Sequence, residues 1–192
     1  LGRLVAIDSQ LGTPAEGMPF GEGPAKVLEE ALSMAASMGF VTKNYENYVG
    51  AVDFNEKEKA LDILAHLDVV PVSDEWTVTK PFEPIIKDGK LYGRGASDDK
   101  GPAVTALYAM KAVKDLNIPL NKNVRLILGT DEECGSSDIK YYYDREEEAP
   151  MTFSPDADFP LINVEKGSFK PKFIAEFEED KKLPRIVSIN SG

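Results

Sequence analysis

The sequence predicts an α/β domain in three layers, with a mixed, largely parallel sheet flanked by helices. Three observations carry that expectation. Short, mostly apolar runs at 60–65 and 123–130 have the length and composition of strands covered on both faces. Two longer segments repeat apolar residues at spacings of three and four, the pattern of amphipathic helices. The two kinds of segment alternate along the chain, as crossovers between parallel strands require.

Leu1, Leu4 and Val5 read as part of a first helix. A helix is expected from Pro24 to Met38, with Leu28, Ala31, Leu32, Ala35 and Met38 on its inner face. Pro24 suits its first turn and Gly39 its stop. Strands follow at 47–54 and 60–66, joined by the polar run Asn55-Glu56-Lys57-Glu58-Lys59. Pro84 to Tyr92 reads as a hairpin around Asp88-Gly89. A glycine-rich turn, Gly93-Arg94-Gly95-Ala96-Ser97, then leads through Asp98 and Asp99 to a helix over 102–116. Its inner stripe is expected to be Val104, Leu107, Met110 and Val113. Strands are expected at 123–130, 151–154 and 169–177. The chain ends just after the strand-like Arg185-Ile186-Val187-Ser188-Ile189. With no initial methionine and a last residue so close to a strand, both ends read as cuts from something longer.

The 192 residues suit one domain, or one plus the start of a second. An apolar share of 42% excludes general disorder. No run approaches the roughly 18 uninterrupted apolar residues of a membrane span, so no membrane association is expected. A net charge of −11 argues against a nucleic-acid partner. The single cysteine, Cys134, cannot form an internal disulfide, and no basic-then-apolar leader opens the chain. A reducing, cytoplasmic setting is therefore expected.

The chemistry-bearing residues collect at strand ends. His66 and Asp68 follow the strand ending at Ala65, and Glu132 and Glu133 follow the one ending at Thr130. Asp156 and Asp158 follow the one ending near Ser154, and Asp98 precedes the 102–116 helix. In a parallel sheet the carboxyl ends share one edge, where ligands bind. One imidazole and several carboxylates would meet there and repel unless a cation neutralised them. Imidazole with carboxylates suits zinc, with cobalt or manganese as substitutes. Asp68 stands where a carboxylate could receive the second ring N–H of a metal-bound His66.

Four segments carry a resemblance. They are Ala65-His66-Leu67-Asp68-Val69-Val70-Pro71, Gly93-Arg94-Gly95-Ala96-Ser97-Asp98-Asp99-Lys100-Gly101, Thr130-Asp131-Glu132-Glu133 and Ser154-Pro155-Asp156-Ala157-Asp158-Phe159-Pro160. In this order they resemble the site motifs of the di-zinc aminoacylase/carboxypeptidase superfamily of metallopeptidases, within it the bacterial dipeptidases of the peptidase V type. The Asp-Asp-Lys-Gly-Pro run and the Trp76…Pro81-Phe82-Glu83-Pro84 loop are similar to that branch as well. The resemblance covers the N-terminal part of the family's catalytic domain.

The resemblance implies a zinc-exopeptidase fold, catalytic over 1–180, with a lid domain beginning at 181–192. It implies that His66 and Asp156 bind a first zinc, that Asp98 bridges two and that Glu133 binds the second. Glu132 would be the general base, Asp68 would orient His66, and the Asp98–Asp99 peptide would be cis. The activity implied is hydrolysis of dipeptides with a free amino terminus. N-acyl amino acid amidohydrolysis and a non-catalytic metal-binding fragment are the alternatives. The family's second zinc also needs another histidine, and this chain has only His66. One zinc or none, and feeble activity, are therefore expected of it.

Plainer readings apply elsewhere. Asp158 reads as a loop cap, Cys134 as a small packed residue, and Glu146-Glu147-Glu148 as a solvated helix face. Lys100 is either a counter-charge for a site carboxylate or an exposed loop lysine. Ser97-Asp98-Asp99-Lys100 fits the Ser-x-x-Lys pattern of serine acylases, but its partner motifs are missing. Gly93 and Gly95 do not complete a dinucleotide loop, and Asp156-Ala157-Asp158 lacks the glycine and glutamate of a calcium loop.

Overall fold

Apolar spacing along the chain is converted into two faces of one sheet. The computed structural model describes residues 1–158, 160–164, 166, 167, 169 and 171–174. The chain divides into two units, Leu1–Asp158 and Phe159–Gly192. All helices and strands of the described residues lie in the first unit: α1 (Gly2–Val5), α2 (Glu22–Ser37), β1 (Val41–Tyr45), β2 (Val49–Asp53) and β3 (Lys59–His66), then β4 (Ile85–Lys87), β5 (Lys90–Tyr92), α3 (Lys100–Asp115), β6 (Asn123–Gly129), α4 (Ser137–Tyr143) and β7 (Met151–Phe153). None of the described helices is long and apolar enough to cross a membrane.

The main sheet runs β1-β2-β6-β3-β7. β6 pairs parallel with β3, and β3 parallel with β7, while β2 is antiparallel to both β1 and β6. Only β2 therefore points against the other four strands. Alternation along β6 sends Leu126 and Leu128 to one face, where they join Leu28, Leu32, Ile63, Ala65 and Leu107 beneath α2 and α3. Ile127 turns to the other face and packs with Tyr45, Val49, Ala51 and Tyr142 of α4. The result is the expected three layers, with a core buried on both sides of the sheet.

The hairpin forms as read, β4 against β5, with Asp88 and Gly89 at positive φ. Other details differ from the sequence reading. β1 was not anticipated, because Val41-Thr42-Lys43-Asn44-Tyr45 is an edge strand in which only Tyr45 is buried. Asn47, expected to open a strand, instead turns the chain with Glu46, both at positive φ. In the sheet, β6 lies between the strands read at 47–54 and 60–66. On α3 the buried apolar residues are Ala103, Ala106, Leu107 and Met110, with Val104 and Val113 only half-buried. Small alanines, invisible to a search for large apolar residues, face the sheet. Of the strand expected at 169–177, residues 169 and 171–174 are not strand, and the rest lies outside the described residues. The same holds for 181–192 and the boundary expected at 180.

Glu146 also departs from expectation. It lies beyond α4 rather than on a helix face, and it closes a polar cluster across the sheet edge. The Tyr45 hydroxyl donates to Glu146 Oε1 at 2.5 Å and Lys43 Nζ at 3.0 Å, with Arg125 Nη1 3.5 Å from Oε2. Partial burial pushes the Glu146 carboxyl up, but the hydroxyl and the ammonium outweigh it and hold it down at about 2. A carboxylate depressed below its ordinary value stabilises the fold fully above that value, and the contribution is lost as pH falls through about 2. Glu146→Gln is thus expected to cost about 1–2 kcal/mol in urea unfolding at pH 7. The difference from the unsubstituted chain should shrink steadily below pH 4.

Candidate metal centre

Three strand ends build the site. β3 and β6 are parallel, with His66 opposite Gly129, so the loops after both leave the same edge. The Leu67 N–H donates to the Gly129 carbonyl at 2.9 Å and prolongs the pairing by one residue. β7 stops at Phe153, opposite Ile63, and Asp156 follows on the next loop. Asp98 arrives from the turn before α3, through a cis Asp98–Asp99 peptide.

These segments converge on one imidazole. His66 is buried, and its Nε2 lies 3.1 Å from Asp98 Oδ1, 3.3 Å from Asp156 Oδ2 and 3.8 Å from Glu132 Oε2. Its Nδ1 lies 3.3 Å from Asp68 Oδ1 and 3.1 Å from the Asp68 carbonyl oxygen. Ligand-type atoms of His66, Glu132 and Glu133 fall within 4.8 Å of one another, and so do those of His66, Asp99 and Asp156. All six residues singled out from the sequence (His66, Asp68, Asp98, Glu132, Glu133 and Asp156) therefore lie together. Asp158 is exposed.

Buried carboxylates set the local backbone. Asp68 Oδ1 accepts the Glu132 N–H at 3.1 Å and Oδ2 the Glu133 N–H at 3.0 Å. The two glutamates sit on a single 3-10 turn, Glu132–Cys134, which is the departure from strand pleating that adjacent site residues require. One residue upstream, Asp138 Oδ2 accepts the N–H groups of Thr130 at 2.6 Å and Asp131 at 3.0 Å. A Cβ at Gly129 would stand 2.6 Å from that same oxygen. Asp131 Oδ2 in turn accepts the Ser137 N–H at 3.1 Å. Asp138 falls in none of the four matched motifs, and Asp131 and Asp99 lie inside matched motifs with no site role attached to their side chains.

The electrostatics are one-sided. Among the described residues no lysine or arginine forms an ion pair with Asp68, Asp98, Glu132, Glu133 or Asp156. Lys100 is neither a site counter-charge nor exposed. It is buried, and its Nζ donates to the Leu4 and Ile7 carbonyls at 3.1 Å each. Burial lowers it to about 8. Burial also disfavours protonated His66, but the carboxylates of Asp68, Asp99 and Glu132 prevail and push it up to about 10. Glu132 and Glu133 are raised, first by burial and then by neighbouring acids. Burial raises Asp99 to about 7. Its Oδ2 accepts the His66 N–H at 3.0 Å, whereas its Oδ1 is buried without a partner. An orphaned buried oxygen beside converging acids and a ring nitrogen is a donor set that fits a divalent cation. Cys134, expected to be packed, is exposed at the end of the 3-10 turn and takes no part.

Residues 63–177 match the profile described as Peptidase family M20/M25/M40. The chain belongs to that family. Its putative dipeptidase YtjP from Bacillus subtilis is 43% identical over 182 residues, covering 94% of this chain and 39% of that protein. The Beta-Ala-Xaa dipeptidase of Lactobacillus delbrueckii subsp. lactis is 41% identical over 184 residues, covering 94% and 39%. The chain thus spans well under half the length of these curated relatives. Among solved structures, the M20 family metallo-carboxypeptidase Sso-CP2 from Sulfolobus solfataricus aligns with a TM-score of 0.67. It is 28% identical and covers 81% of this chain and 36% of that one. Human carnosine dipeptidase 1 aligns at 0.69 with 24% identity, covering 81% and 37%, which speaks for the fold alone.

Asp138 gives this edge of the M20 fold a direct test. Asp138→Ala strands two main-chain N–H groups and is expected to lower stability by about 2–3 kcal/mol in urea unfolding. A loss below about 0.5 kcal/mol would show that the turn holds without it.

Proposed function

We propose that this sequence belongs to the catalytic domain of a cytoplasmic, zinc-dependent dipeptidase that hydrolyses dipeptides with a free amino terminus. One observation carries the reading. His66 Nε2 faces carboxylate oxygens of Asp98, Asp156 and Glu132 at 3.1–3.8 Å, with no basic partner for them among the described residues. That donor set suits zinc, with cobalt or manganese as substitutes. The dipeptidase names of the two bacterial relatives support the substrate class.

In this reading His66, Asp98 and Asp156 would hold a first zinc, and Asp98 with Glu133 would help to hold a second. When bound, zinc acidifies water and polarises a scissile carbonyl. Glu132 takes the proton of the attacking water on its carboxylate and returns it to the leaving amine nitrogen. Burial raises Glu132 toward the range in which one group can do both. Asp68 fixes the His66 ring from the Nδ1 side and holds the Glu132–Glu133 turn in register with it. The same residues would serve an N-acyl amino acid amidohydrolase. A non-catalytic, metal-binding role for this chain is favoured by its single histidine.

Calorimetric titration with zinc is expected to find one site in this chain, and two tight sites would contradict that. Binding should tighten as pH rises from 6 to 8, by up to about tenfold per unit, because the proton held on His66 has to leave. Any dipeptide hydrolysis should be abolished by a chelator and restored by zinc. Glu132→Gln should reduce it about 100-fold or more. Faster turnover of acylated amino acids than of dipeptides would favour the amidohydrolase.

A further inference from the structure

Asp99 is the buried group of this cluster to which neither the motif nor the proposed mechanism gives a task. It is fully buried, and its two carboxylate oxygens are treated differently. Oδ2 accepts the His66 main-chain N–H at 3.0 Å, while Oδ1 has no partner. The first contact has a topological cause. β7 pairs with β3 only through Leu61, Asp62 and Ile63, so the end of β3 runs past its neighbour on that side. The His66 N–H, left without a strand to pair with, is taken by a side chain from the loop that carries Asp98. The carboxylate also has a spatial context: one of its oxygens lies within 4.8 Å of ligand-type atoms on both His66 and Asp156. The carbonyl of Asp99 also accepts the Ala103 N–H at 2.9 Å, which ties the same residue to the start of α3.

Resting on the metal reading above, we propose that Asp99 is a positioning residue of the His66–Asp156 cation site. One carboxylate oxygen docks the Asp98 loop onto the end of β3 that runs beyond β7. The other supplies negative charge to a bound divalent cation without being one of its ligands. Asp99 thereby couples cation occupancy to the seating of the loop. A purely architectural Asp99 would need only the hydrogen bond, which an isosteric amide preserves. A positioning carboxylate needs the charge as well.

Cobalt(II) titration of the 192-residue chain, followed by calorimetry and visible absorption, separates the two. Asp99→Asn is expected to weaken cobalt binding at least tenfold, with the metal-free melting temperature and the shape of the cobalt absorption bands unchanged. Unchanged affinity would reduce Asp99 to architecture and overturn the proposal. Altered bands would make it a direct ligand, which also overturns it. Should the variant not fold, amide hydrogen exchange on the unsubstituted chain decides instead. The His66 amide should be protected without metal and further protected with zinc, and equal exchange in both states would refute the coupling. Failure of the unsubstituted chain to bind cobalt at all would refute the metal reading itself, and the role of Asp99 with it.

Discussion

The Asp68 carboxylate is the tie on which the rest of the site depends. It leaves the end of β3 two residues after His66, lies against the imidazole, and receives two consecutive main-chain N–H groups from the turn after β6. The two strands are already neighbours through their ladder. What the ladder cannot do is set the direction of the loops beyond it. A single buried acid does so, because a carboxylate has two oxygens and each needs donors once it is out of water. The imidazole and the two glutamates are thus placed by one group rather than by three independent loops.

The consequence is an electrostatic imbalance that the protein leaves in place. Asp68, Asp98, Asp99, Glu132, Glu133 and Asp156 gather around one imidazole, and the nearest lysine in sequence, Lys100, turns its ammonium to the carbonyls of the α1 region instead. Lys100 therefore fastens the first helix to the start of α3 and leaves the acids unneutralised. Burial and neighbouring acids push Glu132 and Glu133 toward protonation, and the surrounding carboxylates push His66 toward its charged form. Both shifts follow from like charges crowded into one partly buried cleft.

Much of this was legible in the sequence, for reasons that are local. The apolar run Ala60 to Ala65, the helix spacing from Leu28 to Met38 and the Asp88-Gly89 turn each depend on neighbours a few residues away, and each appears where the pattern put it. The site residues were legible because a strand end is itself a local signal, and the parallel sheet brings such ends to one edge. What stayed hidden depends on distant partners. β1 has too few apolar side chains to announce itself and forms by pairing with β2. The insertion of β6 between β2 and β3 leaves no trace in either segment. Lys100, Glu146 and Asp138 are polar residues whose partners lie elsewhere in the fold, and nothing in their flanking residues reports those partners.

Gly129 closes the last turn of this logic. The space in which its side chain would stand is filled by Asp138 Oδ2, which lies over the strand's final residue and grips the next two amides. The smallest enlargement there, a methyl group, would lift that acid off the backbone and slacken the chain three residues before Glu132. Chemistry could then fail with every reactive group intact. Tolerance to substitution around the cleft will accordingly track the crowding of main-chain atoms more closely than distance from the imidazole.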